Sequence, residues 1–426
     1  MNLYYQRDNI TLYCGDNREI VPTLPASFFD FICTDPPYGL SFMGREWDHG
    51  VPGLSFWQTF LRVCKPGALV LAFGGTRTYH RLICAIEDAG WEIRDCLMWL
   101  YGQGFPKAAD IGKMIDKAKG AVREVVGTKL GQPGYSLADH GRTNEVYGDL
   151  HNPAAECAVT APVTDLAKAW TGWANAFKPA WEPITLAMKP LDGTLAHNAE
   201  QYGVAGLHID AGRIACEGPS PAAERRASAR KTGNAPLQTR ALGVATAAEA
   251  SAMGKIGYRG SAEVYGAERV SEALGRWPAN LLLDQDAAAS LDAQTGTLTS
   301  GKMAAGQQRK RSKDGGGYHG DFPDTASASG TYGDSGGASR FFYVAKAATS
   351  ERNPPGMKND HPTVKPLKLM EYLLTLMSTP TGGVILDPFA GSGSTLLAAK
   401  RLGRPCVGIE LEEHNCKIAV ARLEAL

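Results

Sequence analysis

The chain has 426 residues, more than a single domain of roughly 100 to 200 residues would need, so two or three structural units are expected. With 44 Lys plus Arg against 44 Asp plus Glu it has no global field to draw in nucleic acid or an anionic surface, and any such contact must be a local patch. An apolar share of 44% excludes wholesale disorder, and nine cysteines, an odd number without a CxxC pair, argue for a reduced, intracellular chain rather than a disulfide framework.

In chain order, Ile10 to Cys14, Phe28 to Cys33, Ala68 to Phe73 and Ile93 to Leu100 read as strands. Between them, Trp57, Phe60, Leu61 and Cys64, and then Tyr79, Leu82, Ile83 and Ile86, recur at helical spacing. Strands alternating with helices predict a parallel sheet covered by helices. Residues 110 to 165 are mixed, and Phe177 to Met188 again reads as a strand. From about 195 to 340 Ala, Gly, Ser and Thr dominate, which predicts an insertion with a mobile glycine-rich loop between Gly315 and Gly337. Its basic residues cluster at Arg225, Arg226, Arg230 and Lys231, and at Arg309, Lys310, Arg311 and Lys313; by composition alone such clusters are more often solvated loops than phosphate contacts. The last sixty residues return to order: a helical stripe through Leu369, Met370, Leu373, Leu374 and Met377, a strand at Val384 to Leu386, a helix at Thr395 to Arg401 and a strand at Cys406 to Leu411. No apolar run approaches the roughly 18 residues of a membrane span, and the N-terminus has no basic region followed by an apolar stretch, so neither secretion nor insertion is expected.

Two stretches carry chemistry. Thr34-Asp35-Pro36-Pro37-Tyr38 follows an apolar strand, at the carboxyl end where open α/β sheets build their sites. Two successive prolines remove two backbone donors and leave carbonyls as acceptors; Asp35 adds a carboxylate and Tyr38 an aromatic face for a planar ring. Such a turn would hold an amino group. The second stretch is Asp387-Pro388-Phe389-Ala390-Gly391-Ser392-Gly393-Ser394, between a strand and a helix, where glycines let a ligand approach the backbone. Leu396 stands where a third glycine would complete GxGxxG, so a dinucleotide pyrophosphate is not indicated. Glu410 ends the next strand, where an acidic side chain accepts ribose hydroxyls; loop and acid together indicate a nucleoside cofactor without a pyrophosphate.

Together with His361-Pro362-Thr363-Val364-Lys365-Pro366, these stretches resemble the amino-methylating DNA methyltransferases that use S-adenosylmethionine. The order, DPPY before the glycine loop, resembles their β class, and the details a prophage-type subgroup. The resemblance covers residues 10 to 195 and 340 to 426 and implies an α/β fold with a circularly permuted, Rossmann-like methyltransferase sheet and a large inserted target-recognition region. The expected division is 1–195 for the catalytic half, 196–340 for the insertion and 341–426 for the cofactor-binding half. Carried over residue by residue, the resemblance assigns Asp35, Pro36, Pro37 and Tyr38 to catalysis. Asp387, Phe389, Ala390, Gly391, Ser392 and Gly393 become the cofactor loop and Glu410 the ribose acceptor. Asp16 and Asn17 fall near the cofactor's adenine, and Thr363 and Lys365 along its methionine part. The family often has His before Glu in the segment Phe177 to Pro183, where this chain has Trp181, which leaves a role for Glu182 open. In the insertion, Arg225, Arg226, Arg309, Lys310, Arg311 and Lys313 become the expected DNA contacts.

The implied partner is double-stranded DNA, and the resemblance also admits a homodimer and a cognate restriction enzyme encoded elsewhere; a cytoplasmic, nucleoid-associated protein of bacterial or phage origin is expected. An exocyclic amine is a poor nucleophile because its lone pair is delocalised into the ring. Asp35 and the Pro36 carbonyl, by accepting both amine hydrogens, would draw that pair out for in-line displacement of a sulfonium methyl. Transfer to cytosine C5 would instead need a cysteine nucleophile, and the only Pro-Cys pair, Pro405-Cys406, begins a strand. A base inside a duplex must be flipped out to reach such a site, with Tyr38 as the stacking ring, Phe42, Trp47, Trp99 and Tyr101 as further aromatics, and Ser41 to Asp48 as a closing loop. Adenine N6 is the expected target, because within the family Asp opens the tetrapeptide mostly in adenine enzymes and Ser in cytosine N4 enzymes. A DNA cytosine-N4 methyltransferase is the first competing reading, followed by an RNA-base or protein-amide methyltransferase and a DNA-binding module that senses the cofactor without catalysis.

Overall fold

The structure is a computed structural model that describes residues 2–40, 50–102, 109–130, 156–215, 275–299, 334–345, 353, 359, 361 and 364–426. The Ser41 to Asp48 loop with Phe42 and Trp47, Thr363, the six basic residues expected at DNA, and the glycine-rich loop up to residue 333 lie outside the described residues.

Fourteen strands are described. The first seven are β1 (Asn2–Arg7), β2 (Ile10–Cys14), β3 (Phe29–Thr34), β4 (Cys64–Phe73), β5 (Glu92–Leu100), β6 (Val125–Leu130) and β7 (Glu156–Thr160). They are followed by β8 (Trp181–Met188), β9 (Leu281–Asp284), β10 (Leu298–Thr299), β11 (Ser335–Gly336), β12 (Tyr343–Ala345), β13 (Ile385–Asp387) and β14 (Cys406–Glu410). Ten of them form one sheet in the order β1-β2-β14-β13-β3-β4-β8-β5-β9-β12. The pairs β2/β14, β14/β13, β13/β3 and β3/β4 are parallel, as the alternation of strands and helices predicts. The class is α/β with a mostly parallel, Rossmann-like sheet. The chain's last two strands sit between β2 and β3, so the glycine-rich segment, though last in sequence, leaves the sheet beside the DPPY turn.

Two departures from the sequence reading have local causes. The helix expected to reach Cys64 ends at Val63, and Cys64 opens β4. Pro66 excludes helical backbone at the residue before it, so the chain turns extended there. The strand expected over Phe177 to Met188 begins at Trp181 and runs antiparallel between β4 and β5, where the sequence reading predicts a parallel sheet. An edge hairpin also precedes β2: Asp8 and Asn9, at φ of 50° and 63°, form its two-residue turn, a conformation these side chains tolerate.

The chain forms two compact units, one of Met1–Leu207, Asn280–Ala288 and Val344–Leu426, the other of His208–Ala279 and Ala289–Tyr343. In the first, all six residues of β3 are buried, as expected of a central strand covered on both faces. Its Asp30 accepts from Lys65 Nζ at 2.9 Å and from the Val384 N–H at 2.7 Å, which satisfies a carboxylate that would otherwise be costly inside and ties β3 to the entry of β13. The helix Leu54–Val63 buries Trp57, Phe60 and Val63; the Trp57 indole donates to Pro52 O at 3.1 Å, and Trp91 donates to Trp57 O at 3.0 Å. In the second unit β10 and β11 pair antiparallel, Arg213 stacks 5.2 Å from the Trp277 ring centroid, and Asp334 ion-pairs with Arg276 and, at 3.4 Å, with Arg340. Among the described residues no helix is long and apolar enough to cross a membrane.

Candidate active site

A cavity of about 700 Å³ opens in the first unit at the carboxyl ends of β2, β3, β13 and β14. Its size lies within the roughly 300 to 1,000 Å³ usual for small-molecule pockets. The adjacency of β3 and β13 brings the two motifs together: Thr34 Oγ1 donates to Asp387 Oδ1 at 2.8 Å, across 353 residues of sequence.

On the DPPY side, Asp35 accepts two hydrogen bonds, from the Tyr38 hydroxyl at 2.8 Å on Oδ1 and from Lys365 Nζ at 2.6 Å on Oδ2. Lys365 is 6% exposed, lies 4.9 Å from the Phe73 ring centroid, and also reaches Tyr38 Oη at 3.1 Å and Glu182 Oε2 at 3.4 Å. It therefore donates hydrogen bonds to Asp35 and Tyr38 and holds an ion pair with Glu182. Burial would lower its pKa, but Asp35 and Glu182 outweigh that and raise it, so the ammonium stays charged. The Tyr38 phenol is pushed up by burial and then by the two carboxylates. Thr78 Oγ1 donates to the Tyr38 backbone carbonyl at 2.6 Å, which anchors the turn against the loop after β4. Pro36 is buried, and Pro37 and Tyr38 are half-buried in the cavity wall.

Glu182, which the sequence left without a role, is brought here by β8. Its cross-strand partner is Trp99 of β5, and its Oε2 lies 3.3 Å from the Tyr38 hydroxyl. Trp99 is 9% exposed, lines the cavity and packs 5.6 Å from Tyr101; its indole N–H is buried and has no hydrogen-bond partner among the described residues.

On the glycine-loop side, Asp387 is buried and caps the turn by accepting from the Phe389 N–H at 3.2 Å; burial raises its pKa to about 6. Phe389 packs 6.1 Å from Phe56 and edge-on to Phe60, so its ring forms an apolar wall. Gly391 and Gly393 adopt φ of 52° and 81°, where a side chain is strained. At Gly391 a Cβ would also fall 2.9 Å from His361 Nε2, and at Gly393 2.9 Å from Ala419 Cβ. Glu410 accepts from the Gly391 N–H at 2.8 Å on Oε2, and from the Glu412 N–H and Asn415 Nδ2 at 2.9 and 3.1 Å on Oε1. One lone pair of Oε2 remains open, enough for a ligand hydroxyl. Asn17 Nδ2 donates to Pro388 O at 2.8 Å, so it buttresses the loop. Asp16 caps the short helix Asn17–Ile20 and is bound by the Arg18 guanidinium, which lowers its pKa.

The sequence reading missed one residue that holds this loop. Arg422, buried on the C-terminal helix Glu413–Glu424, donates from Nη1 to Ser392 O at 2.6 Å and to Ser392 Oγ at 3.1 Å. Its only signal is an arginine on the apolar stripe of that helix. The cavity thus unites Asp16, Asn17, the DPPY turn, Lys365, the glycine loop and Glu410 with Trp99 and Tyr101, and adds Glu182. Cys406 is core, with its thiol raised well above the usual range by burial.

Residues 295–421 match the sequence pattern of the family described as DNA methylase. A 65-residue stretch, 15% of this chain, is 55% identical to the type II methyltransferase M2.DpnII of Streptococcus pneumoniae and covers 24% of it. A stretch of the same length is 51% identical to M.ScaI of Streptomyces caespitosus, covering 21% of that protein. The chain thus spans about a quarter of the length of the curated relatives it matches. Among solved structures it is similar to the M1.HpyAVI-SAM complex (16% identity, 97% of this chain and 100% of that chain, TM-score 0.38). It is also similar to the cytosine-N4-specific PvuII DNA methyltransferase (13% identity, 99% and 90%, TM-score 0.42). At these scores the fold rests on this chain's own strand order.

Proposed function

We propose that this chain is an S-adenosylmethionine-dependent DNA methyltransferase that methylates the exocyclic N6 amine of adenine. The observation that carries the reading is the meeting of two sites in one cavity: an acidic acceptor cluster around Asp35 and a glycine loop with the ribose-type acceptor Glu410. The residues fit such a cofactor. Glu410 has an open lone pair for a ribose hydroxyl, Phe389 offers an apolar wall, and Gly391 has no Cβ to crowd the floor. When bound, S-adenosylmethionine supplies a methyl group on a positively charged sulfur. Asp35 and the Pro36 carbonyl accept the two hydrogens of the target amine and hold its lone pair out of the ring plane. Lys365, protonated and buried, fixes the Asp35 carboxylate, and Tyr38 closes the turn.

Adenine is preferred over cytosine on the acidic first residue of the tetrapeptide, Asp35. The second unit, with its stacked Arg213 and Trp277, serves target recognition, and the basic clusters at Arg225 and Arg226 and at Arg309 to Lys313 contact phosphates. Mass spectrometry of nucleosides from cells expressing the protein should find N6-methyladenine. N4-methylcytosine alone would move the assignment to cytosine. Transfer of labelled methyl to RNA or protein, with none to DNA, would refute the function.

A further inference from the structure

Asp35 shares its counter-ion. Lys365 lies between two carboxylates, 2.6 Å from Asp35 and 3.4 Å from Glu182, and the Tyr38 hydroxyl lies within reach of both, at 2.8 and 3.3 Å. Two carboxylates and one ammonium leave the cluster with one excess negative charge. Were Glu182 absent, Asp35 and Lys365 would neutralise one another, and a neutral pair is a poor acceptor for the hydrogens of an amine that is becoming positive. The charged and titratable groups that face Glu182 are Lys365, Tyr38, Asp35 and Tyr101; the last is a phenol pushed up to about 12, chiefly by burial and then by Glu182 itself. Tyr38 and Tyr101 both stay protonated, so Glu182 and Asp35 are the groups able to take a proton.

Resting on the methyltransferase function proposed above, we infer that Glu182 compensates Lys365 so that Asp35 keeps its charge for the target amine, and that Glu182 receives, through the Tyr38 hydroxyl, the proton this amine loses. The amine nitrogen forms its bond to the methyl carbon as the carbon–sulfur bond breaks, and the electron pair of that bond leaves with sulfur. The nitrogen then carries one proton too many and gives it to Asp35. Tyr38 passes its own hydroxyl proton to Glu182 Oε2 and takes the one on Asp35 in exchange, which restores the Asp35 carboxylate. The cluster goes from one net negative charge to none, and Glu182, 23% exposed, returns the proton to water. Glu182 acts through Tyr38 and is a positioning and relay residue; it does not touch the base in this scheme.

Glu182→Gln tests this, because its amide oxygen still accepts from Tyr38 and Lys365 but cannot hold the proton. Affinity for S-adenosylmethionine by calorimetry and the KM for DNA should stay within about three-fold of wild type, while kcat falls by roughly 10²-fold, the usual size of a lost proton-transfer contribution. The variant's kcat should also rise with pH between 6 and 9, as hydroxide and buffer take over removal of the proton, where the wild-type rate is flat. Tyr38→Phe should lose a similar factor, and the double variant no more than either alone. Glu182→Asp, which keeps the carboxylate, should recover part of the rate and guards against a folding defect in the amide variant. A wild-type rate in Glu182→Gln, or a fall in kcat matched by an equal fall in cofactor affinity and without pH dependence, overturns the relay. A wild-type protein that transfers no methyl group to DNA overturns the function and this inference with it, and is seen before any variant is made.

Discussion

Replacing Lys365 by methionine keeps the length of the side chain and removes its charge. In the wild type, the ammonium donates to two oxygens at 2.6 and 3.1 Å and ion-pairs with a third at 3.4 Å while only 6% exposed. Removing one partner of a buried ion pair costs about 3 to 5 kcal/mol, because the other charge is left uncompensated. Here both carboxylates keep a Tyr38 contact and some exposure, 18% for Asp35 and 23% for Glu182, so the lower end, about 3 kcal/mol, is expected at pH 8. The two carboxylates then face one another without the cation they share. The pKa of Lys365 is raised, so its contribution is complete below the unfolded value of 10.5 and is lost only as pH climbs through the folded one; this group gives no slope between pH 5 and 8. Urea unfolding of both proteins at pH 5, 6.5 and 8 measures the gap. A gap below about 1 kcal/mol at pH 8 would refute the shared-cation reasoning.

The two halves of the cavity should separate in binding and in rate. Asp35→Ala should abolish methyl transfer with cofactor affinity nearly intact, and Glu410→Ala should lose cofactor affinity first, since Glu410 also holds the Gly391 N–H; calorimetry showing equal losses for both would refute that division. Gly391→Ala places a Cβ 2.9 Å from His361 Nε2 at a left-handed φ, so it should cost about 1 to 2 kcal/mol in thermal unfolding and weaken cofactor binding, whereas Gly382→Ala, with open space around it, should leave cofactor binding unchanged. Neutralising Arg309, Lys310, Arg311 and Lys313 should weaken DNA binding at every sequence and flatten its salt dependence by a slope of roughly 0.9 per lost phosphate contact; an unchanged slope would make them solvated loop residues.

Local chemistry was legible in the sequence. A buried strand ending in Asp-Pro-Pro-Tyr and a strand-to-helix turn rich in glycine are read from a few consecutive residues, and the structure has both at carboxyl ends of adjacent strands. The helices Leu54–Val63, Tyr79–Asp88 and Leu367–Leu376 followed from their apolar spacing. Their ends were less legible where one residue overrides a periodic stripe, as Pro66 does after Val63. The hairpin strand β1 carried its signal in Asp8-Asn9, but none of its residues is buried on the sheet edge, which leaves little apolar pattern to find.

What the amino-acid sequence determined by itself is the chemistry that short segments can state: an acceptor turn, a glycine loop and an acid at the end of the next strand. The tertiary structure alone decided which distant charges complete them. Lys365 reaches Asp35 across 330 positions, and Glu182 joins them because β8 runs antiparallel between β4 and β5 and presents its first residues to the cavity. Arg422 grips the glycine loop because the C-terminal helix packs beneath it. No periodicity encodes such pairings: an ion pair between segments hundreds of residues apart is set by strand order and register, and these follow from which apolar faces bury one another over the whole chain.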